Sequence, residues 1–277
     1  MEPVITNILV PIDFKIHCLR AIEYAKQLQS ANECSIHLLH VIKNGWLWDN
    51  ARVLTDIAYY KLEQIKRENQ LAGDTPLIVL QGKRYEEIVK YANAISARYI
   101  ILADNYPLSK SRKIIGSTVT KVIVEAKQPV ISITAPVKTI FKNLVVPLDL
   151  SKQCSLQLSN SAAIALHNNT TIRLVSVLLG KESPKSSRIN RVFDEYSKLY
   201  SEKGIKFTKK LIDKRNQFAY KEIINYSYRI NADSIIVMSH TEPAEFDNYI
   251  GAFTHQIINE AKMPVVTLCN GSAGINI

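Results

Sequence analysis

Two short stretches carry the residues that could hold a ligand. Asp13 closes the apolar run "NILVPID" at the point where a strand should give way to a helix. Its carboxylate could accept hydrogen bonds from a base or a ribose. An aspartate there also caps the following helix by accepting its free amide hydrogens, which is the favoured local reading and is compatible with the first. The second stretch, "SKSRKIIGSTVTKVIVEAKQPVISI" (109–133), brings Gly116, Ser117 and Thr118 to the start of a helix. Amide and hydroxyl donors at a helix start form a natural anion site. Lys110, Arg112 and Lys113 stand just upstream and would attract phosphates. A capped helix behind a solvated basic loop accounts for the same residues, and the local pattern leaves the two readings evenly matched.

The other chemistry-bearing residues do not assemble into a reaction centre. No G-x-x-x-x-G-K-[ST], G-x-G-x-x-G or G-x-S-x-G occurs, so no catalytic residues are assigned. Cys18, Cys34, Cys154 and Cys269 form no C-x-x-C pair and have no histidine at zinc-finger spacing, so no metal site is expected. Four scattered thiols suit a reducing compartment. Cys18 and Cys154 read as small packing residues rather than nucleophiles. His37 and His40, three apart on a strand, should face opposite sides and so cannot share a metal. Trp46 and Trp48 read as packing residues over a sheet edge.

Bulk properties narrow the classes further. The 277 residues suit one large domain or two ordinary ones, and 47% hydrophobic with 22% charged residues is normal for a globular protein. No run of about 18 apolar residues exists, which argues against a membrane span. The segment "MEPVITNILVPID" lacks the features of an export signal, so a cytoplasmic location is expected. The formal charge is +10, but 18 Lys/Arg and 13 Asp/Glu fall in residues 1–138 and 17 and 12 in residues 139–277. Each half is therefore +5, with no polybasic tail, and a nucleic-acid partner is not expected.

The elements that must position Asp13 and Gly116 occur twice. "NILVPIDFKIHCLRAIEYAKQL" (7–28) aligns without a gap on "NLVVPLDLSKQCSLQLSNSAAI" (143–164), with Asn7 on Asn143, Pro11 on Pro147, Asp13 on Asp149 and Cys18 on Cys154. Near the end of each half, "EAKQPVISI" (125–133) matches "EAKMPVVTL" (260–268). Two similar domains are therefore expected, 1–138 and 139–277, joined near "APVKTIFK". In the first, strands are predicted at 7–12, 34–42, 76–82, 99–104 and 129–134, with helices over 15–31, 50–69, 84–96 and 117–127. The second repeats the order, with later strands at 171–179, 205–212, 234–239 and 264–268.

Short apolar strands alternating with amphipathic helices argue a parallel sheet covered on both faces. The expected fold is α/β, with two tandem doubly wound domains, each copy building its own five-stranded layer. Ligands in such sheets bind beyond the carboxyl ends of the strands where the winding reverses. That rule points to Asp13, to Val41 and Ile42, and to the 103–116 loop. The matching loop of the second half carries Glu242, Glu245 and Asp247, and Gly251 is followed by Ala252 and Phe253, with a hydroxyl only at Thr254. Three acids would repel a triphosphate where three bases stand in the first half, so a nucleotide should prefer the first half.

With these residues assembled, the chain resembles the universal stress protein family over essentially its full length, twice. "ILVPID" and "LVVPLDLS" are similar to that family's opening strand with its aspartate, "LLHVI" to its second strand, and "GSTVTKVIVEAKQPVISI" to its closing glycine-hydroxyl, helix and Pro-Val strand. The resemblance implies a Rossmann-like fold of strand order 3-2-1-4-5 and a non-catalytic stress-response role. It implies pairing through the last strands, here within one chain as a pseudo-two-fold dimer, with a homodimer as a further assembly. It also implies an adenine-nucleotide site for ATP, ADP or AMP that includes Pro11, in which Asp13 and Val41 contact adenine and Gly116, Ser117 and Thr118 touch ribose and phosphates. Asp149, Val177 and Gly251 are the weaker second-half counterparts. The chain departs from the family's G-x2-G-x9-G-[ST] motif: Ala103 and Tyr106 stand at the two earlier glycines. In the second half these places fall on Met238 and Thr241, or on Ser239 and Glu242 with one extra loop residue. The expected site is therefore degenerate. An interaction scaffold that binds no nucleotide is the alternative, and a slow ATPase the third.

Overall fold

The computed structural model describes residues 6–31, 33–43, 51–104, 116–148, 155–178, 187–213, 218–239 and 250–269. In the first half, strands β1 (Thr6–Pro11), β2 (Cys34–Lys43), β3 (Leu77–Gly82), β4 (Tyr99–Ala103) and β5 (Val130–Ile133) alternate with helices α1 (Cys18–Ala31), α2 (Ala51–Glu68), α3 (Arg84–Ala94) and α4 (Ser117–Glu125). The second half repeats the pattern. Its strands are β6 (Asn143–Pro147), β7 (Thr171–Val177), β8 (Phe207–Ile212), β9 (Ser234–Ser239) and β10 (Val265–Cys269), and its helices are α5 (Ser155–Asn168), α6 (Ser187–Glu202), α7 (Ala219–Arg229) and α8 (Ala252–Glu260). Every predicted strand is present, with ends moved by a residue or two. The first helix is the largest difference: it begins at Cys18, three residues later than predicted, because residues 14–17 form turns.

The strands lie in the order β3-β2-β1-β4-β5-β10-β9-β6-β7-β8. All neighbours are parallel except β5 and β10, which pair antiparallel. The two five-stranded layers meet through their final strands, as the resemblance implied. Once the final strands hydrogen-bond side by side, ten strands become one continuous sheet, and both end strands lose their exposed edges. The seam has the symmetry of the duplication. Val265 pairs with Ser132 and Thr267 with Val130, while Ile131 and Val266 pair on the axis. Exchanging each residue for its counterpart in the other copy leaves these three pairs unchanged.

Alternation along each strand divides the core into two layers. Ile8 and Val10 of β1, Ile36 and Leu38 of β2, and Ile101 of β4 face one side with Leu62 of α2 and the buried face of α1. Leu9, Leu39, Val41 and Ile100 face the other, against Ile88 of α3 and Val122 of α4. Each layer runs through both halves: Ile131, Val146, Val266 and Leu268 join the first and Val130, Val145 and Val265 the second. No described helix is long and apolar enough to cross a membrane.

The two strand histidines lie on opposite faces, as their spacing requires. His37 Nδ1 is 3.0 Å from the Tyr91 hydroxyl of α3, whereas His40 packs on Phe14 and its Nδ1 lies 2.7 Å from the Ile12 carbonyl. Burial lowers the pKa of His37, and it lowers that of His40 too, outweighing the Ile12 hydrogen bond, which acts to raise it. A histidine whose folded value is depressed supports stability above its unfolded value of about 6.5 and loses that support as the pH falls through it. The urea midpoint should therefore drop between about pH 7 and pH 5. The drop should be smaller in His37→Gln, read by denaturation at both pH values.

Candidate functional site

The carboxyl ends of β1 and β4 splay apart where the winding reverses, and a cleft of about 220 Å³ opens there. Pro11, Asp13, Val41, Gly116, Ser117 and Thr118 all line it. Six residues spread over more than a hundred positions thus meet at one point, because parallel strands deliver their loops to the same end of the sheet. Val41 supplies an apolar wall and is only 5% exposed.

Asp13 does not cap the first helix. Its Oδ1 accepts the Lys15 amide at 3.0 Å and the Cys18 thiol at 2.9 Å, while its own amide donates to Cys18 Sγ at 3.3 Å. The positive φ of Phe14 (60°) turns the chain so that the carboxylate faces back across this loop. Lys15 Nζ and His17 Nε2 stand 3.5 and 3.4 Å from Asp13 Oδ2. Burial alone would raise the Asp13 pKa, but the Cys18 and Lys15 hydrogen bonds and the charges of His17 and Lys15 outweigh it, so the group lies below the ordinary carboxylate value. Burial and the Asp13 hydrogen bond push the Cys18 thiol up to about 12, which keeps it protonated and makes it a poor nucleophile.

At the other end, Gly116 precedes the first turn of α4 with φ −59° and ψ 140°. These angles suit any residue, and a Cβ here would meet the Asp104 carboxylate in ordinary van der Waals contact, 3.4 Å from its nearer oxygen. The Gly116 amide is already engaged, donating to Asp104 Oδ2 at 2.7 Å. Asp104 was not singled out from the sequence. It follows β4 directly, so the signal that drew attention to Asp13, a carboxylate at the carboxyl end of a central strand, applied to it equally. The structure thus places an internal carboxylate at the α4 amino terminus, the end of a helix that favours negative charge.

The remaining predicted residues fare differently. Lys110, Arg112, Lys113, Tyr106, Trp46, Trp48, Asp149, Cys154 and the acids Glu242, Glu245 and Asp247 lie outside the described residues. In the second half Val177 is buried and Gly251 precedes α8 with φ −48°. The Thr254 hydroxyl is directed inward to the Met238 carbonyl at 2.6 Å, so it is committed to the core rather than to a ligand.

A family model for the universal stress protein family matches residues 5–133 and again 140–268. The chain belongs to the universal stress protein family. It is the tandem form, two units of the family in one polypeptide. A universal stress protein from Archaeoglobus fulgidus DSM 4304 superimposes with a TM-score of 0.77 over 95% of this chain and 98% of its own, at 20% identity. A functionally unknown protein from Pseudomonas aeruginosa PAO1 matches 96% of this chain and 93% of its own, with a TM-score of 0.63 and 18% identity. A universal stress protein solved in complex with cAMP matches 47% of this chain and 98% of its own, with a TM-score of 0.39 and 13% identity. No curated protein matches the chain in sequence. Membership of this family supports a role in the response to stress.

Proposed function

We propose that this tandem universal stress protein is a non-catalytic, cytoplasmic stress-response protein whose first unit, within 1–138, holds an adenine nucleotide weakly. The observation that carries this reading is the convergence of Asp13, Val41 and Gly116–Thr118 on one cleft at the switch point of the sheet. Asp13 and Val41 would hold the base, and Ser117 and Thr118 would face the ribose and phosphates. Two features weaken the phosphate end. Asp104 holds the Gly116 amide, and the cleft is smaller than the roughly 300–1,000 Å³ usual for small-molecule pockets. A monophosphate or nucleoside should therefore be held at least as well as a triphosphate. The second unit, within 139–277, is the weaker binder, with Asp149, Val177 and Gly251 as its counterpart residues.

Isothermal titration of the full chain with ATP, ADP, AMP and adenosine tests this. Asp13→Ala should weaken AMP binding about tenfold, the worth of one or two hydrogen bonds to a charged acceptor. Gly116→Val, which adds bulk beside Asp104, should abolish it. Absence of heat with all four ligands at millimolar concentration would leave the scaffold reading, which the occupied Gly116 amide specifically favours.

A further inference from the structure

We propose that Asp13, His17 and Cys18 form a binding site for a thiophilic divalent cation of the zinc type, one ion per chain. A carboxylate oxygen, an imidazole nitrogen and a sulfur lie within 4.8 Å of one another at the head of α1. Asp13 Oδ1 and Cys18 Sγ are 2.9 Å apart, and Asp13 Oδ2 and His17 Nε2 are 3.4 Å apart. Zinc binds oxygen and nitrogen at about 2.0–2.2 Å and sulfur at about 2.3 Å in tetrahedral geometry, which sets neighbouring ligand atoms roughly 3.3–3.6 Å apart. The Asp13 Oδ2–His17 Nε2 separation already has that value, while Cys18 is met by the other oxygen, Oδ1, so a side-chain rotation at Asp13 or Cys18 is needed to bring one ion within reach of all three donors.

His17 is only 5% exposed and its Nε2 is turned toward Asp13, so the fold already holds the ligating nitrogen against the other donors. The donor set is also selective. Thiolate with imidazole suits zinc and its neighbours and disfavours magnesium and calcium, which take oxygen ligands. All three donors come from six consecutive residues, "DFKIHC", so little chain entropy is lost in assembling them. The fourth position opens into the cleft that Asp13 and Cys18 line, leaving room for water or an incoming donor. On binding, the Cys18 thiol proton leaves to solvent and the sulfur lone pair goes to the metal. The second copy reads "DLSKQC", with Gln153 aligned on His17, so it lacks the imidazole.

The proposal needs no nucleotide and stands or falls separately from the reading above. The full chain, stripped with a chelator and free of nucleotide, is titrated with Co²⁺ and then Zn²⁺. One equivalent of Co²⁺ should raise a sulfur-to-cobalt charge-transfer band with the intense visible absorption of a tetrahedral ion, and Zn²⁺ should bleach both. Cys18→Ser should abolish the charge-transfer band. His17→Gln, which copies the residue of the second half, should weaken Co²⁺ binding about tenfold or more. Circular dichroism confirms that each variant is folded; if Cys18→Ser is not, His17→Gln alone decides. A wild-type chain showing no charge-transfer band overturns the proposal. So does a band that persists in Cys18→Ser, which would assign the sulfur to another cysteine, or an unchanged affinity in His17→Gln.

Discussion

Replacing Asp104 with asparagine should tighten ATP and ADP binding about tenfold while leaving adenosine affinity nearly unchanged. Asparagine keeps an acceptor for the Gly116 amide, which Asp104 now binds at 2.7 Å, so the start of α4 remains capped. Only the charge is removed. Two like charges about 4 Å apart repel by about 4 kcal/mol at an effective dielectric of 20. In an open, salt-screened cleft roughly 1–2 kcal/mol of that survives, and 1.4 kcal/mol is tenfold in affinity. Adenosine has no charge to repel and serves as the internal control. The gain should shrink as salt is added, since a screened repulsion is being relieved. Titration calorimetry at two ionic strengths reads both effects. An Asp104→Asn chain that binds ATP no better than wild type would mean that the carboxylate does not oppose the phosphates.

Ile131→Ala should destabilise the whole chain by about 3 kcal/mol. Ile131 is fully buried in β5 and pairs with Val266 of β10 on the pseudo-two-fold axis. Truncating it removes apolar contacts and leaves a cavity that a sheet hydrogen-bonded on both sides cannot collapse to fill. Because both core layers run through the seam, the loss should appear as a lower urea midpoint for the entire molecule rather than for one half. Denaturation followed by intrinsic fluorescence and by circular dichroism should give coincident transitions. A loss below about 1 kcal/mol, or two separated transitions, would show that the halves are docked loosely instead of sharing a core.

The duplication, the strands and their order of appearance were legible in the residues, because buried parallel strands need apolar runs whatever their surroundings. "NILVP", "YIILA" and "VISI" could only be strands covered on both faces. The convergence of Asp13 with Gly116 was legible as well, since the winding rule sends both to one end of the sheet. Two details were misjudged because they depend on short-range geometry. Asp13 was expected to cap a helix from residue 15, but the left-handed Phe14 turns the chain and commits the carboxylate to Lys15 and Cys18. Cys18 reads from the sequence as a small packing residue, although the same turn brings it and His17 to Asp13.

By itself the sequence determined that one unit was copied, which residues face the core, and where in each copy a ligand could enter. Period-two alternation and exact self-similarity survive any arrangement of the pieces. Only the tertiary structure decided the register in which β5 and β10 pair, the hydrogen bond of the Gly116 amide to Asp104, and the meeting of His17 and Cys18 with Asp13. Those outcomes depend on distances between atoms far apart along the chain, or on the sense of a single turn, and neither leaves a periodic trace in the order of residues.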